Sequence, residues 1–245
     1  MISHSTDLKQ FLKNRGDLCA VDTEADSLHR YSESLCLIQF SDGNDHVLID
    51  PLAIDDMSAL SEYLTKATCW MHGADYDMHM LKQHLGVIPP TVFDTQIGAR
   101  LLGVRKFGYG NLVEHYMDVF IEKTSQKADW AKRPLTPVME DYALNDVIYL
   151  LPMAEIIVKQ LKDKGRYDWF LESCEAARHK AFQTNVVSGD ALARHQGKQV
   201  GHRLDRPVKL SSRRSCVRSA EQRVHDSDAV CGRLQRERPQ RRQRR

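Results

Sequence analysis

Two hydrophobic periodicities divide the chain. Leu18-Cys19-Ala20-Val21 is a short apolar run closing on Asp22-Thr23-Glu24, and Leu35 to Phe40 and His46 to Ile49 are further runs of strand character. The cluster Asp42-Gly43-Asn44-Asp45 separates the last two as a turn, so the three runs read as an antiparallel meander. Thr68 to Met71 and Val92-Phe93 are shorter strands, each leading into a helical pattern, Ala74 to Leu85 and Thr95 to Leu102. Helical spacing also marks a first helix capped by Ser5 or Thr6, then residues 57–66, 111–117 and 168–182. A strong helix over 138–151 is expected to kink at Pro152 or restart there and run to Lys164. A meander followed by strand–helix units predicts an α/β mixed sheet with helices on its faces.

From residue 184 the periodicity stops and Arg and Ser accumulate. Residues 1–183 hold 19 Lys and Arg against 27 Asp and Glu, and residues 184–245 hold 16 against 6. An acidic body (1–183) and a basic, disordered tail (184–245) are therefore expected, because such a tail buries too little apolar surface to offset the entropy of ordering it. The body is apolar enough for a core, at 42% apolar residues over the whole chain. The six cysteines show no Cys-x-x-Cys spacing, and three lie in apolar strand-like runs, as reduced thiols do. There is no secretory signal pattern and no membrane-spanning apolar run, so a cytoplasmic protein is expected.

The candidate chemistry is acidic. In a strand, residues two apart share a face, so Asp22 and Glu24 project together and Thr23 turns away. Two carboxylates that close repel unless a proton or a cation intervenes. By itself such a pair marks a solvated strand end. Further acids are needed at the same place. Asp77 stands just inside a helix that begins at a strand end, where the positive dipole suits an anion cluster, and is preferred to Asp75. Tyr142 and Asp146 are spaced i, i+4 and share a helix face, whereas Asp141 points about 100° per residue away. Asp94 sits where a helix N-cap belongs.

Val21-Asp22-Thr23-Glu24, His72-Gly73-Ala74-Asp75-Tyr76-Asp77 and Tyr142-Ala143-Leu144-Asn145-Asp146 resemble the three exonuclease motifs of the DEDD superfamily. The Tyr four residues before the last Asp is the mark of the DEDDy branch. The segments 35–39, 93–103 and 125–136 resemble bacterial ribonuclease D, and the likeness runs from about residue 5 to 180. The resemblance implies a ribonuclease-H-like fold and hydrolysis of RNA from its 3′ end to nucleoside 5′-monophosphates, with precursor tRNA or other structured RNA as substrate. Asp22, Glu24, Asp77 and Asp146 are then expected to hold two divalent ions, Mg²⁺ or Mn²⁺, with Tyr142 orienting the attacking water. Two ions roughly 3.5–4 Å apart suit an anionic phosphodiester, one activating water and the other stabilising the leaving oxygen. All-oxygen donors favour Mg²⁺ or Mn²⁺ over zinc.

Smaller expectations attach to other residues. His72 could meet the terminal nucleotide, Arg133 a phosphate and Trp130 a base, although a core tryptophan is an equal reading; Gln126, in the same segment as the last two, is a further substrate-binding candidate. Tyr31 and Gln39 are candidate channel residues. Ribonuclease D proteins usually continue into helical HRDC domains, and residues 184–245 lack that periodicity, so a single domain held on RNA weakly or by its basic tail is expected, a solvated tail with no specific partner being the alternative for 184–245. No obligate protein partner and no membrane is expected. The same chemistry on DNA, or a catalytically silent nucleic-acid-binding module, are the alternatives.

Overall fold

The three apolar runs of the meander pair as their alternation requires. In the computed structural model, which describes residues 1–26, 33–122 and 124–183, they are β1 (Leu18–Ala25), β2 (Leu35–Ser41) and β3 (His46–Ile49), all antiparallel. Tyr31 and the tail 184–245 lie outside the described residues. Asp42 shapes the β2–β3 turn, its Oδ1 accepting the backbone N–H groups of Asn44 at 2.9 Å and Asp45 at 2.8 Å. Arg15 ties the same carboxylate to the body at 2.6 Å. β4 (Thr68–Met71) adds parallel to β1, and β5 (Thr91–Asp94) parallel to β4, giving the order β3-β2-β1-β4-β5. β1 is the central strand.

Its register sorts the side chains. Val21 opposes Phe40, Asp22 opposes Gln39 and Cys19 pairs with Cys69, so odd positions of β1 share one face of the sheet. That face is buried with α1 (Ser5–Leu12), α2 (Ser58–Leu64) and α3 (Asp75–Leu85) in a core built on Leu8, Leu60, Leu64, Met78 and Leu81. Even positions face the other helical layer. There α4 (Thr95–Leu101) and α5 (Tyr109–Met117) pack on α7 (Leu150–Asp163), α6 (Pro137–Ile148) lies across β2 and β3, and α8 (Tyr167–Gln183) covers β5. The mixed sheet flanked by helices is the architecture the sequence pattern predicts.

Two local expectations fail for identifiable reasons. Neither Ser5 nor Thr6 caps α1. His4 occupies the cap position without a side-chain bond, and Ser5 Oγ instead accepts the Asp56 N–H at 3.2 Å. The helix expected through 138–151 stops at Ile148, and Tyr149, at φ −92° and ψ −4°, separates α6 from α7. Pro152 explains the interruption: it has no N–H for the Ile148 carbonyl, and its ring crowds that oxygen. The start of α6 is well defined, with Pro137 in its first turn and the Thr136 hydroxyl accepting the Met139 N–H at 3.3 Å.

Gly98 sets the distance between α4 and α7. A Cβ there would lie 2.6 Å from Ile157 Cγ2, a β-branched methyl with little freedom to withdraw. Gly98→Ala should lower stability to urea by about 1–2 kcal/mol through overpacking, despite the higher helix propensity of alanine. A variant as stable as the parent would show that the two helices can separate freely.

Candidate active site

The end of β1 brings the first two acids together. Asp22 and Glu24 share the α6 side of the sheet, with Asp22 opposite Gln39 and Glu24 opposite Leu37. Thr23 faces the α3 side, and there its hydroxyl donates to Asp77 Oδ1 at 2.6 Å. Asp77, 4% exposed, thus reaches the strand end from the other layer. Its helix is launched by Asp94, whose carboxylate accepts the N–H groups of Gly73 at 2.9 Å and Ala74 at 3.0 Å. The same carboxylate caps α4 through Gln96 N–H at 2.7 Å. Gly73, at φ +71°, makes the turn that leads into α3, a conformation other residues rarely adopt. A single carboxylate therefore fixes both the β4–α3 corner and the start of α4.

Asp146 arrives in the last turn of α6, one turn after Tyr142. Carboxylate oxygens of Asp22, Glu24 and Asp146 lie within 4.8 Å of one another. Asp77 is outside that three-oxygen group but within its field. Burial pushes the Asp22 carboxyl well above the ordinary range, and the charges of Asp77, Asp146 and Glu24 add to it. Burial, with Asp146 and Asp77, raises Glu24 to about 8. Burial and Asp77 raise Asp146 to about 7, and burial raises Asp77 to about 7 against the Thr23 hydrogen bond. Four acids thus compete for negative charge in one partly enclosed space. The donors are all oxygen, half-buried in the case of Asp22, Glu24 and Asp146, which fits a hard divalent cation. Gln39 adds a fully buried amide on the same face, with no protein partner on either its oxygen or its nitrogen.

Tyr142 is half-buried, and burial together with Asp146, Glu24 and Asp22 pushes its phenol up, so it remains a proton donor. Trp130 packs beside it, ring centroids 6.1 Å apart, in a small core with Leu37, Leu48 and Ala143. At 2% exposure Trp130 offers no face to a base, which corrects the stacking expectation in favour of the core reading. The phosphate expectation for Arg133 is also corrected. Its Nε and Nη2 grip Asp50 at 2.6 and 2.8 Å, and its remaining N–H groups go to the carbonyls of Cys36, Trp130 and Lys132. No donor is left for a phosphate. His72 Nδ1 meets Thr95 Oγ1 at 3.0 Å and its ring lies edge-on to Tyr109, a structural clamp, with burial pushing its pKa down. Gln126 is exposed. Tyr109, absent from the sequence reading, is half-buried with its hydroxyl donated to Asn145 O at 2.8 Å, one residue before Asp146. Its motif-free surroundings gave no signal. Among the described residues no helix is long and apolar enough to cross a membrane.

Comparison with known proteins gives a consistent picture. A 3′-5′ exonuclease domain matches residues 1–162. Ribonuclease D of Zymomonas mobilis is 38% identical over 167 residues, covering 66% of this chain and 43% of that protein. Ribonuclease D of Sphingobium indicum is 34% identical over 182 residues, covering 71% and 47%. The crystal structure of Escherichia coli ribonuclease D superposes with a TM-score of 0.71 at 31% identity, over 76% of this chain and 51% of that one. The chain therefore spans less than half the length of these curated relatives.

Two outcomes follow from the geometry. Three of the raised carboxyls bind protons more tightly folded than unfolded, so they stabilise the cation-free fold below about pH 4 and cease to as pH rises through about 7 to 8. In EDTA the melting temperature should fall across pH 5–8 by about 5 °C or more, and millimolar Mg²⁺ should flatten that slope. Equal slopes with and without Mg²⁺ would count against a cation in the cluster. Separately, Arg133→Met should cost about 3–5 kcal/mol in urea titration, because Asp50 is left buried without its partner. The salt dependence of RNA binding should not change, and a slope shallower by about one unit would reinstate a phosphate contact.

Proposed function

We propose, from the premise that this chain belongs to the 3′-5′ exonuclease family and is similar to ribonuclease D, that it removes nucleotides from RNA 3′ ends. The observation that carries the reading is the meeting of Asp22, Glu24 and Asp146 oxygens within 4.8 Å, from chain segments more than a hundred residues apart. Solvated surface acids have no reason to converge at the cost of mutual repulsion.

Asp22, Glu24 and Asp146, with Asp77 beside them, would hold two divalent ions, Mg²⁺ or Mn²⁺. Bound there, the ions supply an activated water and offset charge on the leaving oxygen. The chain's own groups do the rest. Tyr142 keeps its phenolic proton and would hold the attacking water by a hydrogen bond, fixing the direction of attack. Thr23 holds one Asp77 oxygen by hydrogen bond and so fixes that carboxylate beside the cluster. Water attack on the phosphorus forms one P–O bond and breaks the bond to the 3′ oxygen of the preceding nucleotide; the attacking water gives up a proton to solvent, the departing oxygen takes one up to become a 3′ hydroxyl, and a nucleoside 5′-monophosphate is released.

Structured RNA is the substrate class, with precursor tRNA the specific case; the Escherichia coli relative is described as an exoribonuclease involved in structured RNA processing. Residues 1–183 form the catalytic body, and the basic segment 184–245 assists RNA binding through its charge. The buried cysteines Cys19, Cys36, Cys69 and Cys174 suit a reducing compartment, and we place the protein in the cytoplasm.

Trimming of a 3′-extended tRNA in Mg²⁺ should fall at least ~100-fold in Asp22→Ala, the loss expected when several kcal/mol of charge stabilisation goes. An unchanged rate would remove the proposed site. Matched 3′-labelled RNA and DNA oligonucleotides separate the two substrates, and faster DNA cleavage would replace RNA in this reading. Tyr142→Phe should lower kcat by about 100-fold while leaving Mn²⁺ affinity intact, since its role is to orient water. Weakened Mn²⁺ binding would contradict that role.

A further inference from the structure

The Asp146-bearing end of α6 is a weak point in the fold. In a continuous helix the Tyr149 N–H would go to the Asn145 carbonyl; here it turns to the Val147 carbonyl, where the break before Pro152 falls. The last turn of α6 is therefore short of the ladder bond that would hold Asn145 and Asp146 in place. It also carries electrostatic load. Asp146 faces Asp22 and Glu24 at close range, and Asp77 acts on it as well.

A side chain from another helix fills the gap. Tyr109 donates its hydroxyl to Asn145 O at 2.8 Å, replacing the missing donor. The charges of Asp146 and Asp22 also reach this phenol. The ring is not free to drift. Leu112 and Val113 on the same helix are fully buried and anchor it to the body, and His72 packs edge-on against the phenol at 5.5 Å. His72 is in turn bonded to Thr95 Oγ1, which donates to Met71 O at 3.2 Å. Tyr109 thus connects the end of α6 to the end of β4, where the turn toward α3 and Asp77 begins.

We infer that Tyr109 is a positioning residue for Asp146: its hydroxyl replaces the broken helix bond at Asn145 and holds the last turn of α6 against the repulsion of the facing carboxylates. The inference rests on the proposed active site. Phenylalanine at 109 keeps the ring and its packing and removes the donor alone.

The test uses the full chain and measures Mn²⁺ binding by calorimetry together with RNA trimming. Tyr109→Phe should weaken Mn²⁺ about 10-fold and lower kcat by about 10–100-fold, the range for residues that orient ligands, with KM for RNA within twofold of the parent. In an Asp146→Asn background the same change should add less than twofold to the Mn²⁺ loss, because the hydroxyl acts through Asp146. Parental Mn²⁺ affinity and kcat in Tyr109→Phe, a rise in KM alone, or full additivity with Asp146→Asn would each overturn it. If the variant does not fold, amide exchange of the unaltered protein decides. Residues 145–149 should be protected like a helix interior, and exchange as fast as a frayed end would overturn the assignment. Loss of trimming in Asp22→Ala beside an unaffected Tyr109→Phe rejects this inference alone, whereas an unaffected Asp22→Ala rejects the active-site reading beneath it.

Discussion

Repulsion among carboxylates is the constraint on which the rest of the structure turns. Asp22, Glu24, Asp77 and Asp146 come from β1, α3 and α6, and every one of them is pushed up in pKa by burial. No local propensity would bring them together. Sheet pairing and helix packing do so, and each acid has a brace. β1 is held on both sides by β2 and β4. Asp77 is bonded by Thr23, and its helix starts from a corner fixed by Asp94. The braces are hydrogen bonds to charged or buried groups, each worth more than an exposed pair at the surface.

The division of labour between sheet faces follows from period two. Odd positions of β1 feed the apolar core under α1, α2 and α3, and even positions carry the acids toward α6. Thr23 is the exception that joins the layers, since it sits on the core face yet bonds an acid of the cluster. A strand with both acids on one face and a hydroxyl on the other can hold carboxylates arriving from either helical layer. That explains how a four-acid cluster forms at the end of a single strand.

Much of this was legible in the sequence, for a physical reason. The meander, the strand–helix units and the acids at strand ends and helix starts are local patterns; spacing pairs Asp22 with Glu24 and Tyr142 with Asp146, and the resemblance of their motifs is what gives the pairs a role. What escaped reading depends on distance. Arg133 looks like a phosphate ligand until Asp50, 83 residues away, is seen to occupy it. Trp130 can be read as a base platform or as core, and Leu37, Leu48 and Ala143 decide for the core. Asp94 reads as a cap for α4, which it is, but its bonds to Gly73 and Ala74 join two segments that composition cannot relate. Pro152 announced an interruption without saying which residue would yield, and Tyr149 yields because the clash falls four residues back, on Ile148.

The arrangement also couples function to stability. Crowded acids lower the stability of the cation-free fold as they ionise, so the repulsion is stored rather than dissipated. A cation that binds the folded cluster and not the unfolded chain recovers that free energy, adding about 2.7 kcal/mol at a hundred times its dissociation constant. Against a typical domain stability of about 5–15 kcal/mol that is a large fraction. The cluster could relax by moving α6 away from β1, and a looser site would bind cations less selectively and less tightly. Rigid braces on neutral groups, hydroxyls and backbone amides, prevent that relaxation without adding charge to the cluster. A lysine or arginine brace would do the opposite: it would neutralise the acids and remove the attraction for a divalent ion. The neutral character of Thr23, Gln39, Tyr109 and Tyr142 around the four carboxylates leaves their charge uncompensated by the protein, which is what a cluster able to hold a divalent cation needs and an ordinary buried ion-pair network lacks.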